Sequence, residues 1–73
     1  MTEKITFSLG KHEYIALCDL LKLTGIADSG GHAKILITEG LVYRNGELEI
    51  RKTARIRADE QITLEGICIQ VTA

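Results

Sequence analysis

An α+β fold is what this chain predicts: two short packed helices against a small, mainly antiparallel sheet of about four to five strands. Three observations lead there. Apolar residues alternate near the N-terminus, take up a helical period through the next stretch, and alternate again towards the C-terminus. Asn45-Gly46 sits between two alternating runs, the strongest short-range hairpin signal. Glycines follow both helical stretches, where left-handed caps belong.

Each element follows from its residues. Ile5, Phe7 and Leu9 alternate with Thr6 and Ser8, so ITFSL reads as a half-buried strand that Gly10 ends. EYIALCDLLKL then places Tyr14, Leu17, Cys18 and Leu21 on one helical face, with Gly25 as the cap. After a brief connector, Ser29 or Asp28 serves as N-cap of a second helix. Ala33, Leu36 and Ile37 form its apolar stripe and Gly40 closes it. In the hairpin LVYR-NG-ELEI, a two-residue turn opposes Arg44 to Glu47 and Tyr43 to Leu48. Tyr43, Leu48, Leu41 and Ile50 then share one face, which the pattern assigns to the core. RKTARIRADEQ is polar and basic around Ala54 and Ile56, and ITLEGICIQV reads as two strands joined near Glu65-Gly66.

At 73 residues the chain is expected to be one domain, 1–73, near the lower limit for a self-sufficient core. With 45% hydrophobic and 26% charged residues, the composition is that of an ordinary globular chain and argues against disorder. No apolar run approaches the roughly 20 residues of a membrane span. MTEKITFSLGK lacks the features of a signal peptide, and Cys18 and Cys68 stand far apart without a CxxC. A cytoplasmic protein with two structural thiols is the expectation. The net charge of −1 conceals an asymmetry. From His32 to Arg57 six cations face three carboxylates, a net of +3, while the rest of the chain carries −4. Such a segment is a hint of an anionic partner; the plainer reading is a solvated face.

Gly30 and Gly31 stand where the first turn of the second helix belongs. In a helix interior Gly costs about 1 kcal/mol relative to Ala. The first N–H groups of a helix have no partner within it, and the helix dipole favours an anion there. Glycines at that end let a phosphate approach the main chain, and Lys34, one turn on, adds a point charge. The plainer reading is that the glycines allow a tight entry or close packing.

The chain resembles the RNA-binding domain named after small-subunit ribosomal protein four, the S-four domain. The residues that carry the resemblance are Leu20-Leu21-Lys22-Leu23-Thr24-Gly25, Ser29-Gly30-Gly31 before Ala33-Lys34, Glu39-Gly40-x-Val42, Asn45-Gly46-Glu47 and Arg51-Lys52. The resemblance covers Cys18 to Gly66, and the pattern is most similar to the compact stand-alone YbcJ-type branch. The resemblance implies an αL motif, two helices followed by a short β-segment, that forms a nucleic-acid-binding surface. It implies that Gly30, Gly31, Lys34, Arg51, Lys52, Arg55 and Arg57 line that surface. His32, Arg44 and Asn45 complete the candidate set, with Arg44 also placed to pair with Glu47 across the hairpin. Where many such domains carry Ser-Arg, this chain has Ser29-Gly30.

Other classes fit less well. His12 and His32 have no Cys or carboxylate at ligand spacing, so no metal or other cofactor is expected. No GxSxG or P-loop occurs, so no enzyme is expected. A β-grasp carrier would end in Gly-Gly; this chain ends Gln70-Val71-Thr72-Ala73. An oligonucleotide-binding barrel needs stacking aromatics, and Phe7, Tyr14 and Tyr43 are all assignable to the core. The expectation is a monomeric, non-catalytic module that recognises structured RNA, ribosomal or transfer RNA being the candidates, by shape and phosphate. The alternative is a module that docks an acidic protein on the same face.

Overall fold

The computed structural model describes residues 3–73; the first two positions of the expected 1–73 domain lie outside them. The elements run β1 (Glu3–Ser8), β2 (Ile15–Ala16), α1 (Leu17–Leu23), α2 (Gly30–Thr38), β3 (Tyr43–Arg44), β4 (Glu47–Leu48), β5 (Arg55–Ile56), β6 (Gln61–Leu64) and β7 (Ile67–Thr72). Five strands form a mixed sheet in the order β1-β7-β6-β3-β4, and β2 pairs with β5 in a separate two-stranded sheet. The antiparallel character is as the sequence predicts, except that β1 runs parallel to β7, pairing Ile5 with Ile69 and Phe7 with Val71.

One core joins the layers. Leu17, Leu20 and Leu21 of α1 and Ala33 and Ile37 of α2 are fully buried together with Val42, Ile56, Ile62, Ile69 and Val71. Truncating one of these leucines to alanine costs about 2–5 kcal/mol in such a setting. The thiols are both free, and here the expectation holds for one: Cys18 is buried but Cys68 only half-buried.

The first helix is shorter than its apolar period suggests. It starts at Leu17, and Ile15–Ala16 before it are extended, paired with Arg55–Ile56. Tertiary hydrogen bonds override the pattern. No side chain caps α1; the Leu17 N–H donates to the Ala54 carbonyl at 2.9 Å and the Cys18 N–H to that of Lys52 at 3.1 Å. The loop before β5 therefore caps the helix with its own backbone, and Tyr14 falls outside the helix, 40% exposed. At the other end Gly25 has a φ of +82°, the left-handed cap expected of it.

The Asn-Gly hairpin forms in the predicted register, with Tyr43 opposite Leu48 and Arg44 opposite Glu47. Asn45 and Gly46 both have positive φ, as the two-residue turn requires. Its faces are the reverse of those expected. Val42 is fully buried and Glu49 nearly so, while Tyr43, Leu48 and Ile50 are exposed. Two of the three aromatics thus stand outside the core, and the ground for excluding base stacking goes with them.

Candidate functional site

Helix α2 opens on Gly30 and Gly31 themselves. Ser29 is its N-cap, in extended geometry, and its Oγ accepts the His32 N–H at 3.1 Å. His32 answers by accepting the Asp28 N–H on Nδ1 at 3.1 Å. The pair is like a capping box, except that the return bond goes to the residue before the N-cap rather than to the N-cap itself. Neither glycine has a positive φ. A Cβ at Gly30 would meet nothing within 4 Å, and one at Gly31 only the Ser29 Oγ at 3.8 Å. Strain and crowding therefore do not ask for glycine at either position. The first turn holds no acidic residue, and Lys34 is exposed one turn further on.

The basic segment divides in two. Arg44 does not pair with Glu47 as expected. Its guanidinium grips Glu60 through both oxygens, Nε to Oε1 at 2.7 Å and Nη2 to Oε2 at 3.0 Å. Nη1 also reaches Glu49 Oε1 at 3.3 Å, and Nη2 the Arg55 carbonyl at 2.9 Å. Glu49 in turn accepts Arg51 Nη2 at 3.1 Å, Nε at 3.2 Å and the Arg51 N–H at 3.3 Å. Glu60 further accepts the Arg57 N–H and, at 3.3 Å, Asn45 Nδ2, while Asn45 Oδ1 accepts the Gln61 N–H at 2.9 Å. The result is a chain Arg51–Glu49–Arg44–Glu60 pinned to the hairpin turn. Nothing in the local sequence announces it, because Glu60 lies sixteen residues from Arg44.

These contacts shift the ionisations. Hydrogen bonds from Arg51 hold the Glu49 carboxyl below the ordinary carboxylate value, outweighing desolvation with help from Arg44. Desolvation pushes the Glu60 carboxyl up, yet bonds from Arg44, the Arg57 N–H and Asn45 together leave it below that value. The bond from Glu60 raises Arg44 despite desolvation, and the bond from Glu49 raises Arg51.

The remaining cations are differently placed. Lys34, Lys52, Arg55 and Arg57 are exposed, and none forms an ion pair among the described residues. The β2–β5 register sets Tyr14 across from Arg57. The Arg55 and Arg57 guanidinium carbons lie 5.0 and 6.0 Å from the Tyr14 ring centre, within cation–π range. Lys52 is held by its backbone at the start of α1, its side chain facing solvent. No hydrogen bond or ion pair among the described residues links this loop to the first turn of α2. Neither helix is long and apolar enough to cross a membrane.

A helix pair on a mixed sheet, with an exposed basic loop capping the first helix, defines a small α+β module. Residues 7–72 match the S4 domain family, and the chain belongs to it. It is 50% identical over 68 residues to the YbcJ proteins of Escherichia coli (strain K12) and Shigella flexneri, spanning 93% of this chain and 97% of each relative. The solution structure of E. coli YbcJ, described as revealing an αL motif involved in RNA binding, superposes with a TM-score of 0.76 at 48% identity. That match covers 100% of this chain and 92% of the other.

Proposed function

We propose that this protein is a non-catalytic RNA-binding module that grips structured RNA by its phosphates. The observation that carries the reading is the open start of α2. Two glycines sit there although neither backbone strain nor packing requires them, and Lys34 follows one turn later. The free N–H groups of a first turn attract a phosphate, and glycines there allow it the closest approach to the main chain. Lys34, Lys52, Arg55 and Arg57 supply unpaired charge, and the αL motif described in YbcJ supports the same reading.

Arg44 and Asn45 take a structural role in this proposal, since their polar groups are already engaged. His32 does the same at the cap of α2. Arg51 contributes weakly, its charge offset by Glu49. Gly31→Leu tests the proposal. The variant is expected to melt no lower than the parent, because leucine is the better helix former and its Cβ meets only ordinary contact. Its affinity for a structured RNA is expected to fall. Unchanged affinity in the folded variant would remove phosphate access from the account. If the parent binds acidic proteins and no RNA, the face serves a protein partner instead.

A further inference from the structure

We propose that Tyr14, with Arg55 and Arg57, forms a subsite for one unpaired nucleotide of the RNA, its base stacked on the Tyr14 ring and its phosphate held by the two guanidinium groups. The proposal rests on the RNA-binding reading and adds to it a contact that distinguishes looped from fully paired RNA.

Three features meet at this place. Tyr14, one of the few aromatics of the chain, is 40% exposed, with the Arg55 and Arg57 guanidinium groups over its ring. The two arginines beside it carry no carboxylate partner among the described residues, unlike Arg44 and Arg51 nearby. A groove of about 520 Å³ opens next to the ring between β1 and α1. Phe7, Leu9, Ile15 and Leu23 give it apolar walls, and His12 and Asp19 add polar groups. Bases stack on tyrosine and on guanidinium planes alike, and a phosphate follows each base along the chain. Tyr14 borders the groove and carries the two arginines, which have no carboxylate partner among the described residues: the ring and groove take the base, the cations the charge. An acidic peptide would use the cations but leave the ring and groove unfilled. A base pair inside a duplex cannot reach the ring, because both its faces are covered in the stack.

The subsite is held in place by the fold. Tyr14 immediately precedes β2, and the pairing of Ile15 with Ile56 fixes it across from Arg57. The same loop caps α1 through the carbonyls of Lys52 and Ala54. The ring and the two arginines therefore ride on backbone that the first helix locks.

Two RNAs of equal length and charge test the proposal, a blunt duplex and a hairpin whose loop carries 2-aminopurine. The parent protein is expected to bind the hairpin more tightly and to quench the loop fluorescence by stacking. Tyr14→Leu is expected to lose hairpin affinity about ten- to a hundredfold. Its duplex affinity and salt dependence should stay within twofold of the parent, and Tyr14→Phe should behave as the parent. Thermal melts confirm that the variants fold, and the fluorescence of the parent complex needs no variant at all. Hairpin binding without quenching, or Tyr14→Leu binding the hairpin as the parent does, overturns the subsite and leaves the RNA reading standing. Equal losses for hairpin and duplex also overturn it, by showing that Tyr14 serves structure. If the parent binds neither RNA, both readings fail together.

Discussion

Arg44 and Arg51 belong to the same basic segment as Arg55 and Arg57, yet the fold treats the two pairs in opposite ways. The first pair is consumed by Glu49 and Glu60, in a cluster where Arg44 and both carboxylates are largely shielded from water. The second pair lies exposed over a tyrosine and meets no carboxylate among the described residues. The four arginines of one basic segment are thus two different devices, one holding the hairpin and one leaving its charge exposed. A count of basic residues cannot tell them apart; the register of distant acids can.

The largest effect that would break this comparison lies at Arg44. Replacing it with methionine removes both bonds to the desolvated Glu60 and one to Glu49, and charged hydrogen bonds of this kind are worth about 1.5–3 kcal/mol. Arg44→Met is expected to cost about 2–3 kcal/mol and to lower the melting temperature by roughly 10–20 °C. Arg55→Met should cost less than about 0.5 kcal/mol, as surface changes do. Equal melting of the two variants would dissolve the distinction.

Acid sharpens the same contrast. Glu49 and Glu60 ionise below the ordinary carboxylate value in the folded protein. Each therefore contributes stability that is fully present above its unfolded pKa and is lost as pH falls through its folded one. Urea stability should be flat near neutrality and decline from about pH 5 downwards. The Glu49→Gln, Glu60→Gln double variant should be weaker at neutral pH and lose less in acid. A parallel decline in both proteins would assign the acid sensitivity elsewhere. The raised Arg44 and Arg51 contribute stability that is lost only at extreme alkaline pH, outside this window.

Smaller differences should separate the cations one by one. Lys34→Gln, Lys52→Gln, Arg55→Gln and Arg57→Gln should each weaken RNA binding across sequences alike, because phosphate contacts position without specifying. Each should flatten the log-log salt slope by about 0.7–0.9. Arg51→Gln should flatten it less, since Glu49 already offsets that charge. A full-sized change for Arg51 would show that the Glu49 pair opens on binding.

Much of this was legible in the sequence, and the rest was hidden for identifiable reasons. Local chemistry reported truthfully: Ser29 caps α2, Gly25 closes α1, and Asn45-Gly46 sets the hairpin register. The start of α1 was hidden because its cap is the backbone of residues 52 and 54, far along the chain. The hairpin faces were misread because four large apolar residues outvoted Val42. The structure turns Val42 inward beside Glu49, whose charge Arg44 and Arg51 satisfy. Tyr14 was assigned to a helical face by its spacing, and only the β2–β5 pairing places it among the arginines. For the site, the open glycines and Lys34 could be named from motif, whereas which arginines remain unpaired follows from the position of Glu60.

The salt dependence of binding to a structured RNA tests the central claim most directly, measured on the parent and on a variant with Lys34, Lys52, Arg55 and Arg57 all changed to glutamine. Four phosphate contacts predict a parent slope of about −3 to −4 in log affinity against log salt. The variant, folded and with its Arg44–Glu60 cluster intact, should show a slope near zero and little affinity. A parent slope near zero, or a variant that keeps the parent's slope, would contradict the account.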